Sequence, residues 1–268
     1  MIVDLHMHTT CSDGVYTPEQ LTQMAVDAQL SVMAISDHDT VAAYDGSHRF
    51  APGVRVIPAI EISSECDGED VHILGYGIDT ADAGLQAYCA QFKERRFHRA
   101  LEIVDRCRAL GYDIDRSGIE ATLRQGGTVG RPHIARQLVA KGYFPDIKTV
   151  FDELLYRGGP AYVPYHRRSI DDCVALIRQA GGTAILAHPG LLKRTLDQVL
   201  SHDFDGVEVY HPKNRGRYKE FLKLAEDRHW YVSGGSDFHG TTGRFPEKIG
   251  VFTVDAKAVK ALLTDVKG

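Results

Sequence analysis

A chain of 268 residues with 43% hydrophobic content is long enough for one large domain and too apolar for global disorder. Its 31 basic and 36 acidic residues leave a net charge of −5, which argues against a protein that coats duplex DNA and leaves room for a small phosphorylated ligand. Five scattered cysteines (11, 66, 89, 107, 173), with no C-x-x-C pair, argue against a disulfide framework or a zinc ribbon.

The first residues show no basic-then-apolar segment, and no apolar run reaches membrane-spanning length, so a cytoplasmic location with no membrane partner is expected. A strand-like opening, Met1 to Leu5, runs into His6, His8 and Asp13. Residues two apart on a strand point the same way, so His6 and His8 project from one face, and with a nearby carboxylate they can hold a divalent cation. The alternative is a His-rich strand end at the surface. Thr17-Pro18-Glu19-Gln20 is a helix start. Apolar runs at 31–36, 54–60 and 71–76 read as strands, with a hairpin turn at 65–69. From 82 to 111 the pattern is helical, and helices over 116–125, 131–141 and 146–157 follow without a strand. Residues 86–165 therefore read as an inserted, basic helical subdomain.

Alternation resumes with a helix at 170–180, a strand from 183, a helix at 193–202, a strand from 206, a helix at 214–228 and a strand from 230. A last strand at 249–254 and a helix at 256–264 close the chain. Strands beginning near 2, 32, 55, 71, 183, 206 and 230 make seven strand–helix units, and 1–85 with 166–268 read as a βα barrel. His6, His8, His38, Glu61, His188, His211, Asp237 and His239 fall at or just past strand ends, while His72 sits near the start of its strand. Strand ends of a βα barrel converge on one face, so these side chains would surround one mouth. Glu61, after a largely apolar run, needs a charge partner if buried, and a metal supplies one. Other roles are open at three positions: a turn cap for Asp13, a Pro-Gly turn for His188, and a substrate contact for His211. Cys11 reads as a small buried thiol. His48, His98, His202 and His229 read as surface residues.

Asp4-Leu5-His6-Met7-His8-Thr9, Ser36-Asp37-His38-Asp39-Thr40, Ala187-His188-Pro189-Gly190 and Ser236-Asp237-Phe238-His239-Gly240 resemble the four motifs of the PHP (polymerase and histidinol phosphatase) family, in the family's order. The resemblance covers the chain outside the insertion. It implies a distorted (βα)7 barrel with a metal-dependent phosphoesterase site. Carried onto matching positions, it implies one metal site from His6, His8, Glu61 and Asp237, a second from Glu61, His72 and His188, and a third from Asp13, His38 and His239. Some relatives carry His where this chain has Asp13. The length, the insertion and Val129-Gly130-Arg131-Pro132-His133 resemble the branch containing 3′,5′-nucleotide bisphosphate phosphatases, with relatives that trim short RNA from the 5′ end.

Mixed imidazole and carboxylate ligands suit two or three Mn, Zn or Fe ions better than Mg or Ca, with Mn the first expectation. Three divalent ions against Asp13, Glu61 and Asp237 leave a positive mouth that favours a phosphate monoester. The expected reaction is metal-assisted hydrolysis, in which a hydroxide bridging the ions of the cluster attacks phosphorus in line. His211 is one candidate for the leaving-group acid. Arg131 and His133, at a helix start in the insertion, are candidate phosphate contacts, as are Lys213 and Arg215. Tyr162, Tyr165, His166, Arg167 and Arg168 interleave aromatic and basic groups in a way that suits a nucleotide, with plain packing at the domain junction as the alternative. The expected substrate is a nucleoside 3′,5′-bisphosphate or a short RNA, with the insertion as a lid. The alternatives are a histidinol-phosphate phosphatase and a non-catalytic PHP accessory module. Oligomeric state is open.

Overall fold

A computed structural model describes residues 1–118, 130–165 and 167–266. The helix expected over 116–125 beyond Gly118, the stretch 126–129 and His166 lie outside the described residues. The chain divides into two compact units, Met1–Cys89 with Arg167–Gly268, and Ala90–His166.

The first unit is built on an eight-stranded sheet of order β7-β6-β5-β4-β3-β2-β1-β8. Its strands are β1 (Ile2–Met7), β2 (Val32–Ile35), β3 (Arg55–Cys66), β4 (Glu69–Tyr76), β5 (Thr183–Leu186), β6 (Gly206–Tyr210), β7 (Tyr231–Gly234) and β8 (Val254–Asp255). β1, β2 and β3 pair in parallel, as do β5, β6 and β7. β4 runs antiparallel to both β3 and β5. Past the end of β7 the chain bonds back to β1: Asp237 N donates to His6 O at 2.8 Å, and His8 N donates to Phe238 O at 2.9 Å. The sheet is thereby nearly closed into the barrel-like form expected.

Alternation explains the packing. Val3 and Leu5, Val32 and Ala34, and Ile57 and Ala59 belong to one buried apolar cluster, joined by Leu74 and Tyr76. Met33 and Ile35, the opposite set on β2, pack with Leu21 and Ala25 of helix α1 (Pro18–Asp27). β1 carries one extra residue between its pairs Asp4↔Met33 and Met7↔Ile35. This bulge switches the face, so Met7 joins the α1 side, while His6 and His8 turn the other way. Helix α1 starts as its sequence dictates, with Thr17 and Gln20 forming a reciprocal capping box.

Several elements differ from the sequence reading. β3 and β4 form the hairpin expected at 65–69, turning at Asp67 (φ 43°) and Gly68 (φ 81°), but with no helix between them the strict seven-unit alternation fails there. The strand expected at 249–254 shrinks to Val254–Asp255, because Gly250 takes φ 86° and breaks the extended run. The helix expected at 193–202 is only α6 (Leu196–Val199), since the Glu69 carboxylate ties up the N–H groups of Lys193, Arg194 and Thr195. The helix expected from 214 starts at Tyr218 (α7, Tyr218–Arg228) after Gly216 at φ 86°. Helices α5 (Ile170–Gln179) and α8 (Lys260–Asp265) complete this unit.

The second unit has its own apolar core. Ile103, Val104 and Cys107 of helix α2 (Ala83–Ala109) pack with Ile134, Ala135 and Leu138 of α3 (Arg131–Ala140) and with Val150 of α4 (Ile147–Val150). The boundary between the units falls inside α2.

Candidate metal centre

Glu61 is the residue around which the site is built. It lies inside β3, not at its end, but β2 has stopped pairing at Ile35↔Pro58. Alternating with Ile57 and Ala59, Glu61 carries their apolar face to the mouth of the barrel and is fully buried. Its Oε1 meets His72 Nδ1 at 2.9 Å and His188 Nε2 at 3.0 Å. Its Oε2 meets His38 Nδ1 at 3.1 Å, and His6 Nε2 and His8 Nε2 each at 3.3 Å. Five imidazoles thus face one carboxylate. His72 belongs here because β4 is antiparallel: its pairing with Ser63 puts the start of β4 beside the late part of β3.

Asp237 is the second carboxylate. Its Oδ1 lies 3.3 Å from His8 Nε2, 3.4 Å from His239 Nδ1 and 3.7 Å from His6 Nε2. Asp13, with a side chain 52% exposed, lies 3.1 Å from His239 Nε2, 3.8 Å from His8 Nδ1 and 4.0 Å from His38 Nε2. All nine ligands expected from the sequence therefore meet in one cluster. Their donor atoms group as His8, Asp13, His38 and His239; as His6, His8 and Glu61; and as His38, Glu61 and His72. His8 and His38 thus each stand between groups that the family resemblance keeps apart.

The loops carrying these residues are tightly held. Asp37 accepts from Thr9 N at 2.7 Å, Thr9 Oγ1 at 2.5 Å and Ser12 Oγ at 2.5 Å, which fixes the loop to Asp13. A Cβ on Gly14 would come within 2.4 Å of His8 O, so only glycine closes that loop. Asp39 (φ 54°), His188 (φ 27°) and Asp237 (φ 56°) occupy left-handed backbone. For residues other than glycine this costs about 1–3 kcal/mol each, and such strain gathers where side chains must be aimed.

The charges are strongly coupled. Burial raises the Glu61 pKa, but His38, His6 and His72 outweigh it and hold the carboxyl well below its usual range. Asp237 is likewise held well below, its burial outweighed by His211 and His8. Burial, helped by His239 and His38, lowers His8 to about 3. Burial lowers His6, but Glu208 and Glu61 raise it well above the ordinary value. His6 Nε2, both nitrogens of His8, His38 Nδ1, Glu61 Oε2 and His239 Nε2 are buried without a hydrogen-bond partner. An unsatisfied buried polar atom costs about 1–3 kcal/mol, so a cluster of them facing inward requires an occupant. Donor separations of 3.1–3.3 Å fall between the octahedral and tetrahedral edges, about 3.0 and 3.4 Å, of a shell with bonds of about 2.1 Å. The donor set fits divalent transition ions.

The other expected contacts are placed as follows. His211 is buried, with Nε2 3.6 Å from Asp237 Oδ2. Lys213 lies on the turn Pro212–Asn214 and donates its backbone N–H to His211 Nδ1 at 3.0 Å. The Arg215 guanidinium sits 5.1 Å over the Phe245 ring. In the second unit, Arg131 donates to Leu155 O at 3.2 Å and lies over Phe151, while His133 Nδ1 accepts from Gly130 N at 3.3 Å. Tyr162 and Tyr165 pack under Arg99. Arg167 is bonded to Asp70 and to Ser64 O, and Arg168 stacks on Tyr88. Burial pushes the Cys11 thiol up to about 11, as suits an inert packed sulfur.

Two residues at the site escaped the sequence reading. Glu208, fully buried in β6, lies 2.9 Å from His6 Nδ1 and accepts from His188 N at 2.7 Å. Its signal is that of Glu61, a carboxylate between apolar strand residues, Val207 and Val209. Arg244 donates to Asp237 Oδ2 at 2.7 Å from a loop that carries no motif.

The comparisons agree with this geometry. The model of the PHP domain matches residues 4–156. A 5′-3′ exoribonuclease, Rnm, of Escherichia coli is 36% identical over 251 residues, covering 89% of this chain and 85% of that protein. A 3′,5′-nucleoside bisphosphate phosphatase of Chromobacterium violaceum is 34% identical over 261 residues, covering 90% and 89%. A phosphoribosyl 1,2-cyclic phosphate 1,2-diphosphodiesterase of Eggerthella lenta is 32% identical over 257 residues, covering 92% and 97%. Among solved structures, a candidate metal-dependent phosphoesterase of Bifidobacterium adolescentis superposes with a TM-score of 0.83 at 28% identity, covering 99% of this chain and 96% of that one. With the motifs, the barrel and the imidazole–carboxylate cluster in agreement, this chain belongs to the PHP domain family, as one of its metal-dependent phosphoesterases.

Proposed function

We propose that the chain removes the 3′-phosphate from nucleoside 3′,5′-bisphosphates and also cuts the first phosphodiester of short 5′-phosphorylated RNA. The observation that carries this reading is the convergence of His6, His8, His38, His72 and His188 on Glu61, beside Asp237. In our assignment His6, His8, Glu61 and Asp237 hold one ion; Glu61, His72 and His188 hold a second; and Asp13, His38 and His239 hold a third. Mn is the first choice, with Zn or Fe accepted by the same donors. Ions bound there would supply Lewis acidity toward the phosphoryl oxygens and lower the pKa of the attacking water.

The chain's own groups complete the reaction. Because Lys213 N–H donates to His211 Nδ1, a neutral His211 carries its proton on Nε2, the buried atom near Asp237 that has no hydrogen-bond partner. We assign His211 Nε2–H as a hydrogen-bond donor to the leaving O3′. The water oxygen bonds to phosphorus as it gives up one proton, the P–O3′ bond breaks, and O3′ takes up a proton from solvent while hydrogen-bonded to His211 Nε2–H. The same 5′-phosphorylated nucleotide leaves through its O3′ in both proposed reactions. The named activities of the Escherichia coli and Chromobacterium violaceum relatives support this pairing. Five cysteines without a disulfide support a cytoplasmic setting, and among the described residues no helix is long and apolar enough to cross a membrane.

The test is a substrate panel for the Mn-loaded protein: adenosine 3′,5′-bisphosphate, 5′-AMP, histidinol phosphate and a 5′-phosphorylated dinucleotide. The bisphosphate and the dinucleotide should be preferred. Hydrolysis of 5′-AMP as fast as the bisphosphate would overturn the 3′ assignment, and preference for histidinol phosphate would replace it.

A further inference from the structure

Arg244 and Phe245 have no place in the reaction described so far, and Arg215, expected as a phosphate contact, lies over the Phe245 ring instead. Asp237 divides its two oxygens: Oδ1 faces His6, His8 and His239, while Oδ2 accepts from Arg244 at 2.7 Å. The Arg244 side chain is still 44% exposed, so it combines a contact to the cluster with guanidinium N–H groups open to solvent. The next residue, Phe245, is 45% exposed, an unusual position for a phenyl ring. Arg215, from the segment between β6 and α7, lies 5.1 Å over that ring. All three belong to the same compact unit as the metal centre. A cation at the mouth is thus followed outward by a flat cationic–aromatic platform, the combination that takes a phosphate and then a base.

The two proposed substrates differ at one position. In a bisphosphate the scissile phosphorus carries only oxygens beyond O3′; in RNA it also carries the O5′ of the next nucleotide. We infer that Arg244, Arg215 and Phe245 form the subsite for that next nucleotide, with Arg244 on its phosphate and the Phe245–Arg215 platform against its base. This inference rests on the phosphoesterase reading above. Stacking of one base on such a platform should matter for RNA by a factor of roughly ten, and the platform should find nothing to touch on a bisphosphate.

The test uses Phe245→Ala and Arg215→Gln in the full chain. In the Mn-loaded protein, kcat/KM is measured for a 5′-phosphorylated trinucleotide and for adenosine 3′,5′-bisphosphate. Each variant should lower the trinucleotide-to-bisphosphate ratio about tenfold. An unchanged ratio, whether both rates fall together or neither moves, overturns the subsite and leaves the phosphoesterase reading intact. Binding is measured separately with a labelled trinucleotide whose O3′ atoms are replaced by methylene, which keeps its charge and cannot be cut. If wild-type protein turns over neither substrate, the phosphoesterase reading fails and the binding measurement decides the subsite. Weaker binding by Phe245→Ala then supports it, and equal binding overturns it.

Discussion

Glu208 takes a hydrogen bond from His6 Nδ1 at 2.9 Å, on the side of the ring away from Glu61. Its other oxygen accepts the backbone N–H of His188 at 2.7 Å, and its own carbonyl accepts from Asn214 Nδ2 at 2.8 Å. One buried carboxylate thus orients His6, anchors the turn that bears His188, and leaves His6 Nε2 to face the cluster. Replacing such an orienting partner typically weakens metal affinity by about 10–100-fold. Glu208→Gln should do so in a titration of the metal-free protein with Mn, and Glu208→Ala should do worse. Unchanged affinity in both variants would show that His6 needs no orienting partner.

The metal-free protein should be most stable near neutral pH. His6, raised above its ordinary value chiefly by Glu208 and Glu61 against burial, contributes stability that is lost as pH rises through its folded pKa. Burial lowers His8 from 6.5 to about 3, so the unfolded chain takes up a proton that the folded chain refuses, and stability is lost as pH falls between those values. Glu61 and Asp237, held well below the usual range, add to the acid loss. Mn requires a neutral His6, so its affinity should rise with pH and its presence should flatten the alkaline arm. Calorimetry of chelated and Mn-loaded protein from about pH 4 to pH 9 checks the shape. A metal-free Tm that keeps rising across that range would contradict it.

Tyr88→Phe should destabilise the protein without removing a ligand. The Tyr88 hydroxyl donates to Asp39 Oδ1 at 2.5 Å, and Asp39 also accepts from Ser63 N at 2.8 Å and Ser63 Oγ at 2.7 Å. This network holds Asp39 in its left-handed backbone, next to His38. Losing the hydroxyl should cost about 1–2 kcal/mol. At this chain length that lowers Tm by roughly 2–4 °C. A Tm equal to the wild type's would mean the hydroxyl contributes nothing net.

Gly235→Ala should break the closure between β7 and β1. A methyl group there would stand 2.4 Å from both the backbone nitrogen and the Cβ of His6. Backbone cannot yield as a side-chain tip can, so we expect a loss of about 3 kcal/mol or more, together with lower Mn content. Thermal unfolding and metal analysis of the same preparation check both. Wild-type metal content in a folded variant would show that β1 and β7 can separate without disturbing His6.

Much of the site was legible because its ligands sit in short, polar-rich motifs that interrupt apolar runs. His6, His8, His38, His188, Asp237 and His239 could be picked out that way. Glu208 stands in no such motif; like Glu61 it is a carboxylate between apolar strand residues, a pattern that names no partner. Its role exists only once β6 lies beside β5 and within reach of β1. Arg244 has no local pattern either, because its partner Asp237 is reached by the fold of a turn-rich loop.

The sequence by itself determined which residue types the molecule could bring to a metal, and that a barrel would gather them, because alternation and turn chemistry are local properties. Direction and register were decided only by the tertiary structure. His72 lies near the start of its strand and joins the cluster because β4 runs antiparallel to β3. Met7 leaves the face of Val3 and Leu5, and His6 and His8 take the side opposite Met7, because β1 carries a bulge. Strand direction and a one-residue slip both follow from pairing between distant segments, whose energies are not written in any single stretch of chain.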